Sequence, residues 1–425
     1  MSRIYNKFDF IGELVLPKDR DKFHNVKPPN DNGWETHRLN FGIKETDLNS
    51  AFVELFGGYN KTNSKTMKVY SFSKGLFGEK GQQLEIPWED RNNPETKDMV
   101  ADFVKTIVDL ETDMEVKKEY MTLYYKIRNL ENKEDITKED KDKLAEYKKE
   151  FNKQAINRHE FIYEYDAILF LAEQLPKYKD KKFRVTGDVE WNQWQGKYYR
   201  KFIPKIIEIV PDETKSQLRA DINIFFNRDA IDDTLFKDEK KVIINGYVQS
   251  YVREEKGDRF FPQQFIINGS NLDFTNEDHK NRFKFIVDSF KVRGKEYYNL
   301  QYLTSIYRGA ELLDFTYDDL TQKQKEAVDL GLSKIEDFAP RGGNFIGGNM
   351  DEIRILKPKL MGDFADGAIS TGYTDADFIE LIVKDTSDVT LEDIKREDKT
   401  KETEKNNATS EETVDIDDVL DDLLS

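Results

Sequence analysis

The stretch FRVTGDVEWNQWQGKYYRKFIPKIIEIV, residues 183–210, sets two tryptophans and two tyrosines among basic residues. With Lys181 and Lys182 just before it, it carries seven lysines and arginines against Asp188, Glu190 and Glu208. Residues 183–191 and 198–210 read as two strands joined by a polar turn. Trp191 and Trp194 fall where the first strand turns into the second. Alternate side chains of a strand share a face, so Tyr198 and Arg200 point one way and Tyr199 and Lys201 the other. One pair is then free to meet a ligand while the other packs inward.

Further β patterns follow at 218–226, 241–253 and 260–268. Upstream, residues 8–16, 35–44, 52–57 and 68–73 form short β runs, punctuated by KPPNDNGW and GGYNKTNS. The spacing Phe8-x-x-x-Gly12-Glu13-Leu14 is echoed by Phe183-x-x-x-Gly187-Asp188-Val189, which suggests two β domains of one kind. Between them the period becomes helical, with Val100, Phe103, Val104, Ile107 and Val108, and later Phe161, Tyr165, Ile168, Leu169 and Ala172. The charged run between those two sets reads as a solvent-facing helical hairpin. The expectation is an α+β, β-rich chain: a β domain over 1–92, a helical insertion over 93–180, a second β domain over 181–275, and a mixed region over 276–384. Residues 385–425 have the composition of a disordered acidic tail.

The chain has 425 residues, a hydrophobic fraction of 37% and a formal charge of −17. That length implies several domains. The 29 Phe and 20 Tyr supply apolar area for folding. Residues 385–425 alone carry −10, leaving −7 for the first 384. The lack of cysteine excludes disulfides, thiolate metal sites and a cysteine nucleophile, and fits a reducing cytoplasm. No stretch approaches the roughly 18 apolar residues of a membrane span, and the N-terminus lacks a signal layout. A cytoplasmic protein is expected.

No catalytic constellation emerges. His24, His37, His159 and His279 are scattered without metal-binding spacing. RGGNFIGGN, residues 341–349, lacks the Gly-Lys-Ser/Thr of a phosphate-cradling loop. Asp229, Asp232 and Asp233 are close together, as in metal-dependent nucleases, but no second acidic cluster completes such a site. No metal or cofactor is implied.

The aromatic and basic stretch fits a different chemistry. Unpaired nucleic acid offers base faces for stacking and a charged backbone, so its binders interleave flat rings with cations. The candidates are Trp191, Trp194, Lys197, Tyr198, Arg200 and Lys201, joined by Trp34, Arg38 and Phe41 upstream and by Tyr247, Tyr251 and Arg253 downstream. Two plainer readings stand beside this one. Strand aromatics are commonly half core, and exposed aromatic patches also bind proteins.

Together, the short strands, the aromatic–basic second strand and the separate acidic terminus resemble the OB-fold single-stranded DNA-binding proteins. The likeness is to the larger replication-type versions carried by tailed bacteriophages. The resemblance implies two OB-like barrels and non-specific protection of single-stranded DNA during replication or recombination. It also implies a tail that recruits partner proteins through Asp417, Asp418, Leu420, Asp421, Asp422, Leu423 and Leu424. Apart from the resemblance, a mobile polyanion would modulate binding by occupying a basic groove when DNA is absent; the plainer reading is a solubilising tail. The body is not net basic, and the tail ends in Leu-Leu-Ser rather than an aromatic residue. The alternative reading is a non-enzymatic phage structural or packaged protein.

Overall fold

β1 (Lys7–Val15) is the strand around which the chain is organised. In the computed structural model, which describes residues 4–75, 81–131, 133, 135–151, 153–154, 156–194, 196–252, 255–313, 317, 320–330, 332–334 and 345–383, β1 leads through α1 (Arg20–Phe23) and β2 (His24–Lys27) to the hairpin β3 (Trp34–Thr46) and β4 (Asn49–Asn60). An insertion follows: β5 (Lys68–Phe72), β6 (Gln83–Pro87), α2 (Pro94–Met99), β7 (Thr106–Asp109), α3 (Met114–Glu131), α4 (Lys138–Phe151) and β8 (Arg158–Phe161). Helix α5 (Glu164–Gln174) then precedes the hairpin β9 (Lys182–Trp194) and β10 (Lys197–Val210). The chain continues with β11 (Gln217–Phe226), β12 (Ile231–Asp232), α6 (Phe236–Glu239), β13 (Lys241–Val252) and β14 (Gly257–Asn268). It goes on through α7 (Glu277–Asp288), β15 (Glu296–Leu313), α8 (Gln322–Asp329), β16 (Phe345–Pro358), β17 (Ile369–Thr374) and α9 (Asp375–Leu381).

One edge of β1 pairs with β9 from Lys7 to Glu13. The other edge is shared: Lys7 to Ile11 pair with β11, and Glu13 to Val15 pair with β3. Gly12 sits at the change of partner. A Cβ there would lie 2.1 Å from the Lys44 carbonyl oxygen, so only glycine admits the approach.

The pairings trace two cycles. In ring one, β1 joins β3 and β9, β3 joins β4, and β9 joins β10. β10 lies beside β4, although among the described residues no backbone ladder links them. In ring two, β11 pairs with β13 and β15, β13 with β14, β14 in parallel with β16, and β16 with β15. That cycle is closed by backbone hydrogen bonds throughout.

One continuous buried cluster runs through both rings. The rings of Phe8, Phe10 and Phe202 lie 4.5–5.4 Å apart in ring one, joined by Phe41, Val53 and Phe183 from the buried faces of β3, β4 and β9. Ring two buries Ile222, Ile244, Phe261, Phe265, Ile306 and Ile353. Each such side chain contributes about 1.5–3 kcal/mol.

The sequence blocks are thus divided differently from the expected domains. Ring one takes strands from 1–92 and from 181–275, and ring two takes strands from 181–275 and from 276–384. The echo has a direct explanation. Phe8 pairs with Gly187 and Gly12 with Phe183, so the two similar segments are antiparallel neighbours, each glycine opposite the other's phenylalanine. The segment 61–163 is an insertion within ring one. Its helices α3 and α4 are joined by the Lys148–Glu131 ion pair at 2.8 Å, and Lys133 of the connecting loop pairs with Asp140 of α4 at 2.7 Å. Its Trp88 ring stacks on Tyr59 of β4 at 5.8 Å and lies 3.5 Å from the Arg91 guanidinium, which fastens the insertion to the ring. No described helix is long and apolar enough to cross a membrane.

Candidate nucleic-acid interface

β4 alternates Ala51, Val53 and Leu55, fully buried, with Phe52, Glu54 and Phe56 on its outer face. Phe52 is 40% exposed and Phe56 53% exposed. Phe52 pairs with Gly42, and its ring lies over that bare backbone, 3.2 Å from where a Cβ would stand. Phe56 pairs with Arg38 of β3, whose guanidinium is 5.8 Å from the phenyl centroid.

Glu54 gathers the cations of this face. Its carboxylate takes Lys201 Nζ from β10 at 3.1 Å and Arg38 Nε from β3 at 3.4 Å. Two positive side chains are therefore held between two exposed phenyl rings by one negative charge. Tyr199 lies two residues before Lys201 on the same side of β10 and is 43% exposed. The surface so formed runs from Tyr199 and Lys201 across Glu54 to Phe52, Phe56 and Arg38.

At the start of β10 the opposite side faces ring two, before Phe202 turns into the core of ring one. Arg200 is buried and its Nη2 donates to Asp351 of β16, and burial pulls its pKa below the ordinary guanidinium value. Tyr198 meets Phe261 edge-on at 6.0 Å while remaining 42% exposed. Lys197 is exposed at the hairpin tip, where its backbone pairs with that of Trp194, whose side chain lies outside the described ones.

Trp191 does not serve this surface. It is 2% exposed within the common core, donates its indole N–H to Gln263 Oε1 at 3.0 Å, and donates its backbone N–H to Ser250 Oγ at 3.1 Å. Its ring seals the junction between the rings. Phe41 is fully buried in ring one, on the face of β3 opposite Arg38. Tyr247 is packed against Phe378 and Tyr297, and burial raises its pKa. Arg200, Trp191, Phe41 and Tyr247 are thus packed away from the outer face of β3 and β4. Trp34 is half-buried at the start of β3, its backbone N–H bonded to Asn30 Oδ1 at 2.9 Å. Tyr251 is 43% exposed beside the junction, next in the chain to Ser250. Arg253 and the tail residues Asp417, Asp418, Leu420, Asp421, Asp422, Leu423 and Leu424 lie outside the described residues.

No family model matches the chain. No curated protein matches it either. Among solved structures it is similar to a deletion mutant of the single-stranded DNA-binding protein from Thermus aquaticus, with a TM-score of 0.27 and 10% identity, over 72% of this chain and 89% of that one. A likeness that slight carries no argument by itself.

Other polar clusters are accounted for locally. Asp232 accepts from the Thr234 hydroxyl at 2.7 Å and Asp229 pairs with Arg228 at 3.6 Å, so these carboxylates brace a turn. Among the described residues no group of His, Asp and Glu is arranged to hold a metal. His24 Nε2 and His37 Nδ1 are 3.1 Å apart, and His37 Nε2 meets Glu35 Oε1 at 3.1 Å. Lys61 and then His37 hold Glu35 below the usual carboxylate range, while burial and the neighbouring His37 lower His24. This chain fixes β2 onto β3 under Tyr165 of α5.

Phe52 and Phe56 were not singled out in the sequence. The run FVELFG sets aliphatic residues on one face and two phenylalanines around Glu54 on the other, so alternation alone does not say which face is bare. That double-sided character was the available signal, since a strand with one solvated face ordinarily carries polar residues there.

Proposed function

We propose that this protein binds single-stranded DNA with little sequence preference, stacking bases on Phe52, Phe56 and Tyr199 and drawing phosphates to Arg38, Lys197 and Lys201. The observation that carries the reading is the outer face of β3 and β4, where exposed rings alternate with cations gathered on Glu54. Both rings are read as OB-type barrels. Numbered along the chain, each follows the order 1-2-3-5-4 and returns to 1, a Greek-key arrangement rather than a meander. The OB fold is a five-stranded Greek-key barrel that binds oligonucleotides on strands 2 and 3 and the loops 1–2 and 4–5. In ring one those strands are β3 and β4, and loop 4–5 is the turn between β9 and β10.

The wider role is protection of single strands during DNA replication or recombination, with the acidic segment 385–425 modulating binding and recruiting partners. Phage origin belongs to the same reading. A labelled oligo(dT) titrated by fluorescence anisotropy tests the central claim. Binding to the single strand that exceeds binding to duplex, and that weakens in the Phe52→Ala/Phe56→Ala variant, is the expected result. Duplex preference, or full affinity in that variant, would sink it.

A further inference from the structure

Ring two carries a helix on the face that ring one leaves open. The outward residues there are Phe225 of β11, Phe260 of β14 and Tyr297 of β15, which form a separate buried cluster with Phe378 of α9, and Tyr247 of β13, which packs against it partly buried. The Phe378 centroid lies 3.9 Å from that of Tyr297 with the planes at 6°. It lies 4.2 Å from Phe260 at 29° and 4.8 Å from Tyr247 edge-on. A flat ring therefore stands stacked on Phe260 of the third strand and Tyr297 of the fourth, edge-on to Tyr247 of the second, whereas Phe52 and Phe56 stand uncovered on ring one.

The helix is short, and its hold is gathered on Phe378 and on the segment that follows, where Leu381 and Ile382 pack against the same aromatic cluster and Val383 enters the main core. α9 has 7 residues, far below the length at which a helix persists alone. Its N-terminus is fixed by a Thr374–Asp377 capping box and its end by Val383 N–H donating to the Phe260 carbonyl at 3.1 Å. Phe378 is its only buried residue. The next residue of the helix, Ile379, is 39% exposed.

We propose that α9 is a displaceable lid, and that Tyr247, Phe260 and Tyr297 beneath Phe378 form a second stacking site for the bases of a single strand. The inference rests on the reading of ring one as a single-strand binder. A base offers the same flat face as the phenyl ring, so exchanging Phe378 for a base replaces one aromatic stack with another. A strand already held on ring one presents its next bases to ring two at high effective concentration, which tips the exchange. Short oligonucleotides then occupy ring one alone, and longer ones lift α9.

Hydrogen exchange on the unaltered chain tests this. Amides of residues 375–383 are expected to exchange faster with a long oligo(dT) than with a short one that saturates ring one. Unchanged or slower exchange overturns the lid. In parallel, Phe378→Ala is expected to bind long oligo(dT) about tenfold more tightly, the worth of one base stack, and to occlude more nucleotides per protein. Added to Phe52→Ala/Phe56→Ala, it should restore binding through ring two. Unaltered affinity and site size in a folded Phe378→Ala protein make Phe378 a packing residue only. If that variant unfolds, the exchange experiment decides. Absence of any single-strand binding by the intact protein instead defeats the reading of ring one.

Discussion

The indole nitrogen of Trp191 donates to Gln263 Oε1 at 3.0 Å, and the bond joins β9 of ring one to β14 of ring two. The most conspicuous aromatic residue of the chain is thereby spent on holding the rings together. Trp191→Ala should cost about 3–5 kcal/mol of stability, as large-to-small core changes do. Trp191→Phe should cost less, chiefly by leaving Gln263 without its donor, about 1–3 kcal/mol. Urea unfolding followed by circular dichroism reads both. A Trp191→Ala protein as stable as the parent would contradict its place in the core.

Phe52→Ala and Phe56→Ala together should remove roughly 2–6 kcal/mol of single-strand binding at about 1–3 kcal/mol per stacked base. Both rings are substantially exposed, so the thermal midpoint should move little. Replacing only Tyr199 should give about half that loss in the same anisotropy titration.

Glu54 restrains two cations that a phosphate backbone would otherwise meet. Glu54→Gln should raise affinity at low salt. It should also steepen the dependence of log K on log salt by roughly 0.7 for each cation transferred to a phosphate. Titrations at several salt concentrations measure the slope, and an unchanged slope would separate Arg38 and Lys201 from the binding surface.

His24 makes stability depend on pH. Burial first, then the charges of His37 and Arg20, lower its pKa from 6.5 in the folded chain. Below pH 6.5 the unfolded chain takes up a proton that the folded one resists. The contribution is therefore full above that pH and lost as pH falls through the folded value, with a slope of at most about 1.36 kcal/mol per pH unit. His24→Gln should flatten this part of the profile, read by urea unfolding between pH 8 and 5. Equal profiles would mean that His24 titrates freely.

The alternation of single residues carried more of this arrangement than the clustering of residue types. Trp191 shares its parity with Phe183, Val185 and Val189, all buried, so its burial was legible in the strand period. Arg38 and Phe41 have opposite parity on β3 and point to opposite faces, which precluded a common site. The division into rings was not legible. Partners of β1 come from residues 34–46, 182–194 and 217–226, and no local pattern states which distant strand completes which cycle. The cover over ring two was also hidden, because α9 is too short to give a periodic signal and its one buried side chain is a lone phenylalanine.

The insertion between β4 and β9 sets an order of events on the ribosome. β4 ends at Asn60 and its neighbour β10 runs from Lys197 to Val210, so ring one cannot close until about half of the 425 residues have been made. The α3–α4 hairpin, which depends only on nearby residues, is free to form during that wait, since local contacts assemble sooner than distant ones. Through the same interval the hairpin of β3 and β4 keeps one edge and its apolar inner face without their partners, a state that invites association between nascent chains. For this hairpin the aggregation hazard thus lies between completion of Asn60 and arrival of Val210, and slowing translation across that interval should lengthen the exposure.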